Sequence, residues 1–260
     1  MTFLSTHPIW LAAVLLLLPT TIVAMAGPIA IRRLVTLDRL RTNNEVAGFK
    51  FATVGVIYAV LLAFAVIVVW EKFNQAESAV VKAATAAATI MRLAQGVDAD
   101  HGAAIHKATI DYLTTSIAQD WPAMERGRVS AAGTEALSKI YVAVLKFHSF
   151  DASEGLVIAE ILRQVDRLSE ARREILVAAN GTVPGIIWLV LFIGAFLTVG
   201  FTFFFGAASL YAQSFMTGAL SFMIFCGLLT IIAIDHPFAG TFKVGPEAIA
   251  GVIEDFGSAH

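Results

Sequence analysis

Chemistry-bearing residues are sparse in this 260-residue sequence, and the most suggestive pair is Asn44-Glu45. Stepping alternately three and four residues from Glu45 gives Gly48, Ala52, Gly55, Ala59, Leu62 and Val66, an uncharged and mostly small face that ends in a carboxylate. Copies of such a helix around an axis would present Glu45 and Asn44 as a polar ring that attracts cations at a pore mouth. Leu62 and Val66 would form a hydrophobic constriction that gates by dewetting. A structural alternative stands beside this reading. Glu45 is then a first-turn acid favoured by the helix dipole and paired with Arg41, with Asn43 or Asn44 as the cap. In that case the small residues pack against another helix of the same subunit. Lys50 lies off the stripe and is expected to reach the membrane interface.

Asp235-His236, ahead of Pro237, offers either a second polar ring with a proton-linked histidine or simply an aspartate that organises a turn. His101 and His106 are five apart, off a common helical face, and read as solvated surface residues rather than metal ligands. Cys226, the single cysteine, excludes an intrachain disulfide and reads as a small packing residue. The sequence has no Gly-rich phosphate loop, no Gly-x-Ser-x-Gly elbow and no His-Glu-x-x-His. No catalytic residue, metal or cofactor is therefore expected, and the protein reads as a non-enzyme.

The elements that position these residues follow from composition. With 58% apolar and 15% charged residues, the chain is too hydrophobic for a water-soluble domain. Four runs are long enough to cross a bilayer as helices, at about 8–31, 46–70, 184–205 and 212–234. The first run has no Lys or Arg before Arg32 and reads as a retained span, not a signal peptide. Its Pro19 predicts a kink and its Gly27-Pro28 a break. A net charge of −2 gives no reason to expect a nucleic-acid partner. Arg32, Arg33, Arg39 and Arg41 stand against Asp38 alone in the first connection. By the positive-inside rule they place that side in the cytoplasm, with the termini and the long insertion outside.

The stripe does not stop at the second span. It continues through Val69, Phe73, Ala76, Val80, Ala83, Ala87, Ile90 and Ala94, and Glu71, Lys72, Glu77, Lys82 and Arg92 all fall off it. Fifty helical residues extend about 75 Å, well over twice the hydrocarbon thickness, so the helix is expected to leave the bilayer and pack in water. Gly96 is expected to end it in the left-handed conformation. Further amphipathic helices follow. The first is capped by Asp98 or Asp100 and stops before Trp121-Pro122. The next runs over about 131–148 with Leu137, Ile140, Tyr141, Val144 and Leu145. The last opens at Asp151 and Glu154 and carries Ile158, Ile161, Val165, Leu168, Ile175 and Ala179. Phe201, Phe203, Phe204 and Phe205 read as a lipid-facing belt, and Ser214, Thr217 and Ser221 as helix-to-helix hydrogen-bonding groups.

The run Asn44-Glu45-Val46-Ala47-Gly48, the segment from Gly55 to Phe64, Trp70-Glu71 and the closing Asp235-His236-Pro237-Phe238-Ala239-Gly240 resemble the bestrophin-like membrane family. The resemblance covers most of the chain and implies kinship in layout with oligomeric anion channels. It carries no individual pore residue onto this sequence.

The expected fold is all-α. Transmembrane helices one and two occupy 1–70, an extramembrane helical bundle 71–183, transmembrane helices three and four 184–234, and a C-terminal tail 235–260. The expected function is a homo-oligomeric, multi-pass channel of the cell membrane that passes small inorganic ions, with a lean to small cations. The rival is a non-conducting sensor or scaffold whose bundle binds a partner.

Overall fold

The computed structural model describes residues 9–42, 44–146, 152–181, 183–240 and 242–257. The expectations placed on Asn43 and Asp151, and on the last two residues of the helix expected at about 131–148, lie outside the described residues. All regular structure among the described residues is helical: α1 (Ile9–Leu34), α2 (Leu37–Thr42), α3 (Asn44–Ala94), α4 (Ala99–Thr115), a π-helical turn (Ser116–Asp120), α5 (Trp121–Glu125), α6 (Ala132–Leu145), α7 (Ala152–Ala178), α8 (Gly185–Thr202), α9 (Leu210–Ile234) and α10 (Glu247–Gly257). Of these, α1, α3, α8 and α9 are long and apolar enough to span a membrane. The chain forms two compact units, Met1–Glu71 with Gly181–Asp235, and Lys72–Asn180 with His236–His260.

In the first unit, helix packing rests on close approach rather than on bulk apolar burial, since lipid is as apolar as the side chains it would replace. The Met25 side chain of α1 occupies the space left by Gly218 of α9, and the Tyr58 ring of α3 lies over Gly194 of α8. Ser221 Oγ donates to the Thr20 carbonyl at 3.4 Å and Thr202 Oγ1 to Thr217 Oγ1 at 3.3 Å. Two of the three hydroxyls expected to join helices therefore do so.

Two expectations need correction in this unit. The chain does not break at Gly27-Pro28, because α1 continues to Leu34. Gly27 is where the Phe203 ring rests, so its role is to admit a neighbour. A proline within a spanning helix is tolerated where neighbours cover the freed backbone. The aromatic run is also not simply a lipid-facing belt. The Phe51 ring lies 6.0 Å from Phe201 and 5.6 Å from Phe205, and of the four phenylalanines Phe204 alone is exposed.

The second unit has an aqueous type of core. Ala76, Val80, Ala83, Ala87, Ile90 and Ala94 of α3 are buried, together with Ile105 and Leu113 of α4, Ile140 of α6 and Ile161, Val165 and Leu168 of α7. Alanines at successive turns let the neighbouring helices come close, and each fully buried Leu or Ile contributes about 1.5–3 kcal/mol. Asp98 caps α4 through hydrogen bonds from the Asp100 and His101 backbone amides. The end of α3 is different from the expectation. Gly96 does not take a positive φ, and the helix closes by a tightened turn in which Gly96 N donates to the Leu93 carbonyl at 2.9 Å.

The helix after Asp98 also does not stop before Trp121-Pro122. A π turn in which Trp121 N donates to the Ser116 carbonyl leads into α5, with Pro122 in its first turn, where no amide hydrogen is required. This wider turn carries Asp120, whose carboxylate meets Arg172 of α7 at 2.9 Å, with both side chains buried. Gly133 on α6 makes room for the pair, because a side chain there would occupy the space of both groups. Burial raises the Asp120 carboxyl above the usual carboxylate range, and Arg172 and the Ser116 hydroxyl partly offset this. Beyond Pro237 the tail is not featureless. Val244 N donates to the Pro237 carbonyl at 2.7 Å, Trp121 Nε1 to the Val244 carbonyl at 3.2 Å, and Phe238, Ile249 and Val252 join the core. Leu145, read as a core position, is 64% exposed at the end of α6.

Candidate functional site

The site begins where α3 begins, and its first residue is fixed by a contact that spans 162 positions of sequence. Asn44 Nδ2 donates to the Gly206 carbonyl at 3.1 Å while Gly206 N donates to Asn44 Oδ1 at 2.9 Å, so one amide satisfies both backbone groups of one glycine. Gly206 can sit there because it has no side chain: a Cβ would collide with the backbone of Leu40 and Arg41. The amide of Asn44 is thus engaged by the connection between α8 and α9. Glu45, one residue on, is exposed in the first turn. Neither it nor Arg41 has an ion pair among the described residues.

The small-residue stripe lies free of this subunit's own packing. A Cβ added at Gly48 or Gly55 would meet no atom within 4 Å, and Ala52 and Ala59 are exposed. The packed face of the membrane part of α3 is instead centred on Tyr58, Ala65 and Val69, so between Glu45 and Ala59 the stripe runs beside that face. Leu62 and Val66 stand where the two converge. Both are half-buried against the subunit's own core, and the Leu62 side chain covers Gly227 of α9.

Asp235 and His236 do not join Glu45. Asp235 is buried at the far end of α9, where its Oδ1 accepts the Val183 amide at 2.9 Å. Gly206, held by Asn44, precedes the other end of that helix, and 25 residues of helix rise about 37 Å. The structure therefore sets these two polar positions at opposite ends of the unit. His101 lies against the Asp98 carboxylate.

These positions belong to an α-helical membrane protein of the multi-pass class, with four long apolar helices among the described residues and a second, separately cored helical unit. The bestrophin-like domain family matches residues 18–249, and the chain belongs to that family. Crystal structures of a bacterial bestrophin homolog from Klebsiella pneumoniae share its fold. A single-residue variant of that protein is 14% identical with a TM-score of 0.71, covering 94% of this chain and 98% of that one. A second variant is 15% identical with a TM-score of 0.67, covering 94% and 96%. A further crystal structure of the homolog is 14% identical with a TM-score of 0.69, covering 93% and 98%. No curated protein matches the chain.

Proposed function

We propose that the protein is a homo-oligomeric ion channel that conducts passively along an axis bordered by the exposed stripe of α3. The observation that carries the reading is the open space at Gly48 and Gly55, flanked by exposed Ala52 and Ala59 and ended by Glu45. Hydrocarbon accommodates large side chains as readily as small ones, so a lipid-facing surface has no need of glycine. Small residues serve the close approach of another backbone or a narrow conduit. A carboxylate in line with them marks an ion path more often than a lipid contact.

In this reading Glu45 recruits the ion, and Asn44, tied to Gly206, holds the first turn of α3 in place. Gly48, Ala52, Gly55 and Ala59 face the axis or the neighbouring copy, and the exposed edges of Leu62 and Val66 form the dry barrier. Asp235 and His236 belong to the opposite mouth, Asp235 chiefly as the acceptor that fixes the turn at Val183. The carboxylate ring favours small cations. The arginines at the end of α1 and in α2 support a cytoplasmic location for that end, with the termini and the insertion outside.

The direct test is reconstitution of purified protein in planar bilayers, with reversal potentials measured under asymmetric salt. Wild type is expected to carry a protein-dependent current, and Glu45→Gln to move the reversal potential away from that of the cation. The absence of any such current across voltage, pH and calcium would overturn the proposal, as would a monomeric particle.

A further inference from the structure

We infer that the elbow formed by the end of α1 and by α2 binds phosphodiester head groups of anionic membrane lipids, with Arg33, Arg39 and Arg41 as the cations that recruit them and Arg39 and Arg41 presented on different sides of α2. All three are exposed and none has an ion pair among the described residues, and the acids nearest them in the sequence are Asp38 and the exposed Glu45. Arg32, the fourth basic residue of the elbow, is spent inside the protein, where its guanidinium donates to the Ala207 carbonyl.

The elbow is built as a fixed platform. Asn44 holds Gly206 by two hydrogen bonds, Gly206 lies against the backbone of Leu40 and Arg41, and Leu40 is buried. Three guanidinium groups are therefore carried on backbone that is already ordered, which lowers the cost of binding a ligand. Topology alone requires only positive charge, which lysine supplies equally well. Every basic residue from Arg32 to Arg41 is arginine, the side chain whose planar fork matches two phosphate oxygens at once. Leu34, between Arg33 and the start of α2, is 82% exposed. An apolar side chain beside the cations suits a ligand with acyl chains, which a free phosphate lacks.

The test uses the purified full chain in neutral detergent. It is titrated separately with phosphatidylglycerol, phosphatidylcholine and glycerol 3-phosphate, and read by bound lipid in native mass spectrometry and by thermal unfolding. Phosphatidylglycerol is expected to bind and raise Tm, with the other two weaker by tenfold or more. The Arg33→Gln, Arg39→Gln, Arg41→Gln triple variant is expected to lose that preference by roughly tenfold or more. Should it fail to insert, the corresponding triple lysine variant keeps the charge that sets topology and is expected to bind several-fold more weakly, having lost the fork. Equal binding of phosphatidylcholine, competition by glycerol 3-phosphate at equal concentration, or unchanged affinity in whichever variant folds would each overturn the inference.

Discussion

Helix α3 carries one periodic stripe through two regions that use it differently. From Phe73 to Ala94 the stripe is the packed seam of the second unit, and Ala76, Ala87 and Ile90 have no solvent exposure at all. From Glu45 to Ala59 the same spacing leads away from the packed face, and two of its glycines border open space. In water an apolar stripe must be covered within the subunit, because leaving it exposed costs about 25 cal/mol for every Å². In lipid that drive is absent, so a stripe of the same period is free to serve a neighbouring copy or a conduit. Periodicity identifies a face, and only the solvent around it says whether the subunit itself must supply the partner.

The largest effect expected in the aqueous region is at the buried pair that fixes the π turn. Asp120→Ala leaves Arg172 charged, buried and unpaired, and should cost about 3–5 kcal/mol in the second unit. Ile90→Ala on the seam itself should cost about 2–5 kcal/mol. Thermal and denaturant unfolding of the purified protein checks both. Loss of less than about 1 kcal/mol in either variant would break the distinction between a packed and an unpacked stripe.

Tyr112 gives a finer probe of the same core. Burial pushes its hydroxyl up to about 12, against the opposing influence of Arg172. An acid whose folded pKa is raised contributes its stabilisation below the unfolded value and loses it as pH climbs. Between pH 10 and about 12 the unfolded chain releases this proton while the folded chain retains it, so stability should fall across that window. The difference between wild type and Tyr112→Phe should reach on the order of 1 kcal/mol by pH 11. A pH-independent difference would mean that the hydroxyl is not buried in solution.

Leu62 stands where the stripe meets the subunit's own packed face. Leu62→Ala removes the side chain that covers Gly227, and with Leu62 only half-buried it should cost about 1 kcal/mol. In the channel reading it also widens the dry barrier and raises conductance. Stability loss without a change in current would assign Leu62 to packing alone.

The four long apolar helices, the aqueous register of α3 and a cap at Asp98 or Asp100, of which Asp98 is the one used, were legible because each is local, set by length, period or a side chain within one turn. The Asn44–Gly206 clamp joins residues 162 positions apart and leaves no spacing signal. The π turn was equally hidden, since Trp121-Pro122 reads as a stop until the wider turn removes the need for the proline amide hydrogen. Helix α10 was more accessible: Ile249, Val252, Ile253 and Phe256 follow Pro246 at helical spacing, and only the brevity of the run obscured it. The stripe residues themselves were legible, but their partner was not, because every face of a spanning helix is apolar.

The smallest effect on the isolated subunit is the most informative about that partner. Gly55→Ala adds a methyl group where this subunit has nothing within 4 Å, so it creates no clash within the subunit. Replacing glycine by alanine in a helix interior stabilises it by up to about 1 kcal/mol. Subunit stability should therefore be unchanged or slightly raised, and lipid-facing glycines would show nothing more. If the stripe meets a second copy, the added methyl groups should instead separate the helices, weaken the oligomer and alter the current. Particle mass and bilayer recordings of Gly48→Ala and Gly55→Ala, set beside their unfolding curves, measure the two consequences independently. A more stable subunit with an intact oligomer and an unaltered current would place the stripe against lipid and remove the channel axis from α3.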